Sequence, residues 1–204
     1  MLCIRLMSEQ ELISKLIEGD EAAFREVVRT LHVPMTYVAR AIVGQDSAAD
    51  VVQDAWVMAI KALPSFERRS SLKTWILSIV ANAAKARLRK EGRMIAMGDA
   101  QDVENAGLSN HRFLGDGRWA DPPRVWHADT PERILASEQL RTQILKAIDE
   151  LPENQRAVLV LRDIEEVEFS EICNILDISE SNCRVLLHRA RTRLWQIIDT
   201  LQSR

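Results

Sequence analysis

The chain has 204 residues, 47% of them hydrophobic and 28% charged, with 27 Lys and Arg against 30 Asp and Glu for a formal net charge of −3. This is a globular composition, which excludes a disordered chain or a disulfide-framework miniprotein, and the length admits one ordinary domain or two small ones. Cys3, Cys173 and Cys183 are an odd number with no C-x-x-C pair, so they read as reduced thiols, with neither a zinc site nor a disulfide set. The longest nearly apolar stretch, Trp75 to Ala84, is broken by Ser78 and Asn82 and falls short of the ~18 residues that a membrane span needs. Met1 to Met7 carries Arg5 and lacks the apolar core of a signal peptide, and Met7 is an alternative start. A soluble cytoplasmic protein without membrane insertion is expected.

The small net charge hides a strong segregation. Residues 8–60 hold four basic and nine acidic side chains, whereas residues 61–93 hold nine basic and two acidic. Further on, Arg184, Arg189, Arg191 and Arg193 fall together with no acid among them, while acids gather between Asp149 and Glu180. Basic clusters of this kind can face phosphate even on an acidic protein.

Helical periodicity dominates from the start. Ser8 and Glu11 form a capping box, the stripe Leu12, Ile13, Leu16, Ile17 follows, and Gly19 stops the helix before Asp20 caps the next. That second helix buries Phe24, Val27, Val28 and Leu31; after Pro34 a third carries Tyr37, Val38, Ala41 and Ile42 to Gly44; a fourth runs from about Asp46 to Leu63. A basic loop leads to a fifth helix, from about Ser71 to Glu91. It has Leu72, Ile76, Ile79, Ala83 and Ala86 on one stripe and Ser78, Asn82, Lys85 and Arg89 on another.

Residues 94–130 lose the periodicity and read as a linker rich in Gly, Pro, Asp and Asn. Thr130-Pro131 restarts helix, Ile134, Leu140, Ile144 and Ile148 lead to Leu151-Pro152, and Val158, Leu159 and Leu161 belong to the next helix. Glu165, Glu166 and Glu168 look like a solvated loop. Ser170 to Leu176 is then a short helix and Asp177-Ile178 a tight turn. Ser179 caps a long helix with Cys183, Leu187, Ala190, Leu194, Ile197 and Leu201 inward and Ser181, Arg184, His188 and Arg191 outward. That order is helix-turn-helix grammar. The expected fold is all-α, two small helical domains at 1–93 and 131–204 joined by a flexible linker, the C-terminal one a helix-turn-helix domain.

The segment LPENQRAVLVLRDIEEVEFSEICNILDISESNCRVLLHRARTRL resembles the C-terminal domain of extracytoplasmic-function sigma factors, which binds the promoter −35 element. AADVVQDAWVMAIKAL and SLKTWILSIVANAAKARLRK are similar to the N-terminal domain of that family, in the same order. Three departures stand out: Asp177 where the turn usually has Gly, Cys173 for a usual Ala, and Leu186 where many members have Arg.

The resemblance implies core RNA polymerase, promoter DNA and an anti-sigma factor as partners, with no cofactor or metal. Asp50, Gln53 and Asp54, supported by Trp56, would dock on the clamp helices of the largest catalytic subunit of the polymerase; on periodicity alone they are equally an ordinary solvated face. Phe66, Arg68, Arg69, Ser71, Lys73, Thr74, Trp75, Asn82, Lys85 and Arg89 would hold the melted −10 strand, since extruded bases need stacking surfaces and a cationic track. Trp75 also suits a partly core position. Ser181, Asn182, Arg184, Val185, His188, Arg189 and Arg191 would meet the −35 duplex. The linker, with Trp119, Pro122, Pro123 and Trp126, would lie in the nucleic-acid channel of the polymerase or act as a plain tether.

An enzyme would need a nucleophile, metal set or phosphate loop, and the chain has no G-x-x-x-x-G-K, H-E-x-x-H or G-x-S-x-G. The alternative is a conventional helix-turn-helix regulator with an N-terminal interaction domain. Such a protein has no need of the second basic surface at 61–93.

Overall fold

The computed structural model describes residues 8–92 and 142–202, and every regular element among them is helical, in line with the expected all-α class. The expectations for Met1–Met7, the 94–130 segment with its tryptophans, and the restart at Thr130-Pro131 through Leu140 lie outside the described residues. The chain divides into two compact units: Met1–Ile95 with Val160–Asp177, and Ala96–Leu159 with Ile178–Arg204.

In the first unit α1 (Glu9–Ile17) opens on the expected capping box. The Glu11 amide donates to Ser8 Oγ at 3.2 Å and the Ser8 amide to Glu11 Oε2 at 2.9 Å. Ile13 and Leu16 are buried, while Ile17 is exposed. Asp20 accepts from the Ala23 amide at 2.8 Å and starts α2 (Glu21–Val43).

Helix α2 corrects the sequence reading, because it runs unbroken through Pro34. A proline inside a helix costs roughly 3 kcal/mol through its missing amide and its clash with the carbonyl four residues back. Leu31, Met35, Val38 and Ile42 form one buried stripe across it. At about 1.5–3 kcal/mol per buried aliphatic side chain, that stripe outweighs the break. Among the described residues three helices therefore precede the basic loop, and Val28, expected inside, is exposed.

Gly44, with φ at +85°, turns the chain into α3 (Gln45–Ala62), a 3-10 turn follows at Leu63–Ser65, and α4 (Leu72–Lys90) packs against both α2 and α3. Packing on two sides widens its buried arc. The buried residues are Leu72, Ile76, Leu77, Val80, Ala81, Ala84 and Leu88, so the core stripe is rotated from the expected one; Ile79, Ala83 and Ala86 lie at its margins.

The remaining part of the unit, Val160–Asp177, begins with a π turn at Val160–Ile164, in which the Glu165 amide donates to the Val160 carbonyl at 2.9 Å. Arg162 closes the loop: its guanidinium donates to the Val167 carbonyl at 2.9 Å and lies 5.1 Å from the centre of the Phe169 ring. α7 (Phe169–Leu176) follows and ends at Asp177, whose φ of 59° and ψ of 52° are the left-handed cap conformation.

In the second unit, a helix over residues 142–149 (α5) buries Ala147 and Ile148. Arg156 of α6 (Glu153–Leu159) is itself buried and donates from Nη1 to the Asp149 carbonyl at 2.7 Å, closing the end of α5. α6 packs on α8 (Glu180–Gln202), bringing Ala157, Val158 and Leu159 into one core with Cys183, Leu187, Ala190 and Leu194.

Glu166 has φ at +57°, and unlike Asp177 it has no short side chain to bond its own backbone. Glu166→Gly is expected to stabilise the chain by about 0.5–1 kcal/mol, and Asp177→Gly by less. Urea unfolding of the two variants beside the parent checks both the sign and the order.

Candidate nucleic-acid interface

The basic stretch converges on the start and the outer strip of α4. Pro64 sits in the 3-10 turn, the Phe66 amide bonds back to the Leu63 carbonyl at 3.1 Å, and Arg68 takes a left-handed φ of 58° that redirects the chain. Ser71 then caps α4, its Oγ accepting from the Thr74 amide at 3.1 Å and lying 2.9 Å from Thr74 Oγ1. Glu9 of α1 completes this start, with the Leu72 amide donating to its carboxylate at 2.6 Å. Ser71 and Thr74 thus engage each other at the cap.

This scaffold sets Phe66 against Trp75, with ring centroids 4.7 Å apart and planes tilted by 33°. Both rings are half-buried, so Trp75 is neither a core residue nor a free platform. Arg68 and Arg69 are exposed, and Arg69 pairs with Glu67. At 100° per residue Trp75, Ser78, Asn82, Lys85 and Arg89 share the strip opposite the buried arc of α4, with Asn82 and Arg89 exposed. Arg87, Arg89 and Lys90 in the last turn also complement the helix dipole.

Two expected contacts are already engaged. Lys73 Nζ lies 2.9 Å from the Glu165 carboxylate and donates at 2.9 Å to the Glu165 carbonyl; Lys85 Nζ donates to the Ile175 carbonyl at 2.6 Å. Burial pushes the Lys85 ammonium below its ordinary pKa, opposed by the charge of Asp177 and helped by that of Arg89. Glu165, expected in a solvated loop, is only 5% exposed. Sequence reasoning missed it because its partner lies 92 residues away and consecutive glutamates give no local sign of burial.

On α3, Asp50, Gln53 and Asp54 are exposed, and Trp56 is half-buried with its Nε1 enclosed and unpartnered. Arg87 of α4 stands near this face: its hydrogen bond to Glu91, then the charges of Glu91, Asp50 and Asp54, hold its guanidinium above the usual pKa. Val57, Met58 and Ile60 are exposed on the same helix, a feature that reading α3 for charge alone passed over.

At the turn after α7, Ser179 Oγ accepts from the Asn182 amide at 3.2 Å and the Cys183 amide bonds to the Ser179 carbonyl at 2.9 Å, starting α8. Ser181 and Arg184 are exposed, Arg184 pairing with Glu180, while Asn182, His188 and Arg189 are half-buried. Arg191 of the expected outward stripe is 7% exposed and Val185 of the expected −35 set is 5% exposed, which corrects both placements. Arg184 and Arg191 lie on nearly the same side of α8, so position along the helix decides: Arg184 stands near its exposed start and Arg191 two turns further in. Leu186 is also buried, so its replacement of Arg changes packing at that point.

The model for sigma-70 region 2 matches residues 27–94 and that for sigma-70 region 4 matches residues 141–194. The chain is 31% identical over 186 residues to the ECF RNA polymerase sigma-E factor of Escherichia coli K12, covering 91% of each chain. The chain belongs to the extracytoplasmic-function (ECF) sigma factors of RNA polymerase. The sigma-E factor of Haemophilus influenzae is 28% identical over 96% of this chain and 97% of its own. Two solved structures share the fold at a TM-score of 0.55. They are CnrH with the cytosolic domain of CnrY, at 19% identity over 94% of this chain and 97% of that one, and RpoE with the anti-sigma factor NepR from Bartonella quintana, at 21% over 86% and 96%. As a sigma factor the protein confers promoter recognition on RNA polymerase and is not an enzyme, its regions 2 and 4 mediating −10 and −35 recognition. No described helix is long and apolar enough to cross a membrane.

Removing the carboxylate that ties α1 to the start of α4 is expected to loosen the whole Phe66–Trp75 scaffold. Glu9→Ala should cost about 1–2 kcal/mol in chemical unfolding, the loss of a charge-assisted bond to a helix-terminal amide. A shift in Trp fluorescence should accompany it. An unchanged midpoint would show that Ser71 suffices as the cap.

Proposed function

We propose that this sigma factor divides its work among three surfaces, on domains at 1–93 and 131–204 connected by 94–130. The α3 face of Asp50, Gln53 and Asp54, backed by Trp56, docks on core polymerase, and exposed Val57 and Ile60 add apolar area beside the acids. The exposed start of α8, Ser181 and Arg184 with Asn182, His188 and Arg189 beside them, meets the −35 duplex; buried Val185 and Arg191 hold that helix in place. The loop and outer strip of α4 receive the melted −10 strand, with Phe66 and Trp75 as the stacking surface and Arg68, Arg69, Asn82, Lys85 and Arg89 along the backbone. The protein acts where the polymerase acts, in the cytoplasm. The Bartonella quintana structure of the same fold holds an anti-sigma factor, which supports such a partner here.

The observation that carries this reading is the Phe66–Trp75 pair, 4.7 Å apart and half-buried beside a segment of nine basic and two acidic residues. An aromatic surface next to dense positive charge suits unpaired bases, for which stacking is worth about 1–3 kcal/mol each. An ordinary regulator that reads only duplex DNA gains nothing from it.

Charge reversal at Asp50 and Asp54 together is expected to weaken binding to core polymerase at least about tenfold while unfolding stays within about 0.5 kcal/mol, because both are exposed. Titration of labelled sigma with core enzyme measures it, and unchanged affinity would remove the docking assignment. For the −10 surface, Trp75→Ala and Asn82→Ala should lower open-complex formation on duplex promoters and recover in part on templates mismatched at −10, where the unpairing cost of a few kcal/mol is already met. Equal loss on both templates would assign these residues to folding or general electrostatics.

A further inference from the structure

The segment Val160–Asp177 does more than pack against α4. It engages Lys73 and Lys85, the two lysines that the family resemblance implies at the −10 strand, and it does so with groups that resemble those of a nucleic-acid backbone. At Lys73 the partners are a carboxylate and a carbonyl of the same residue, each at 2.9 Å. At Lys85 the partner is the Ile175 carbonyl at 2.6 Å, in the last turn of α7, where the helix dipole is negative. Twelve residues of helix set the two lysines about 18 Å apart along α4. One ordered segment bridges that span.

The local structure of the segment is arranged for this task. The π turn at Val160–Ile164 and the left-handed Glu166 on its far side bring Glu165 inward, against the preference of a charged side chain for solvent. The Arg162 bond to the Val167 carbonyl holds that loop. The Glu165 side chain is 4% exposed, while that of Lys73 remains 40% exposed. The pair is therefore asymmetric: its cationic member stays open to a competing anion from solvent.

We propose that Val160–Asp177 is an internal competitor for the −10 strand, with Glu165 holding Lys73 and the Ile175 carbonyl holding Lys85 until single-stranded DNA replaces them. The proposal rests on the assignment of α4 to the −10 strand. In this closed arrangement Asn82 and Arg89 remain exposed, so DNA has an initial foothold, and full engagement requires the segment to withdraw. The chain by itself then binds single strands weakly, and the affinity of the open form is reduced by the fraction of molecules that are open.

The test uses the full chain and a fluorescein-labelled oligothymidylate in anisotropy titrations at several salt concentrations. Glu165→Gln keeps the shape of the side chain and removes its charge, and it should tighten binding by about fivefold or more, with Lys73→Ala added to Glu165→Gln abolishing the gain. A Glu165→Gln chain that binds no more tightly than the parent overturns the proposal. Should that variant fold poorly, amide hydrogen exchange on the unmodified chain decides: saturating oligothymidylate should speed exchange across 160–177, and unchanged or slower exchange overturns the proposal. The underlying assignment is tested separately, by Lys73→Ala and Lys85→Ala in open-complex formation with core polymerase. Loss there with no gain from Glu165→Gln refutes the competitor alone; no loss there refutes the −10 assignment as well.

Discussion

Everything on the first unit depends on α4 having to be core on one side and polar on the other. Seven of its residues, from Leu72 to Leu88, are buried against α2 and α3, and the small Ala81 and Ala84 let it sit between them. What remains is a narrow strip from Trp75 to Arg89. With so little room the polar side chains stand in single file, and a single-file strip of Asn, Lys and Arg beside two aromatic rings matches an extended strand better than the broad face of a duplex. The caps at Ser71 and Glu9 fix where the strip begins.

The same packing separates the charges. Acids on α3 and bases on α4 belong to adjoining helices of one unit, and Arg87 feels both Asp50 and Asp54 from across that boundary. A protein of net charge −3 therefore presents an acidic face and a basic face on adjoining helices, as the proposed division between a polymerase subunit and phosphate requires. Exposed Val57 and Ile60 on the acidic helix are poorly placed for a purely solvated surface, and an interface accounts for them more readily.

Features set by near neighbours were legible in the sequence. The Ser8 capping box, the Asp20 cap, the stop at Gly44 and the left-handed turn at Asp177 all depend on residues within a few positions, and all stand where the pattern places them. Features set by distant contacts were not. The helix runs through Pro34 because residues elsewhere bury the stripe around it, and the core face of α4 turned because two helices press on it. Glu165 was read as solvated because only Lys73, far away in sequence, explains its burial. On α8 the Ser179 cap and the inward stripe from Cys183 located the helix, yet they did not tell that Val185, Leu186 and Arg191 are enclosed while Arg184 is exposed. Family resemblance implied the roles proposed for these surfaces, and the structure supplied which of their side chains are exposed.

The central claim is that these surfaces work only together with the polymerase, and run-off transcription tests it most directly. Purified chain and core polymerase are combined on fragments from upstream of the gene that encodes the chain, with each component also assayed alone. The account predicts a discrete new transcript that requires both, together with weak duplex binding by the chain alone. Tight duplex binding by the isolated chain, with no new transcript when core polymerase is added, would contradict it.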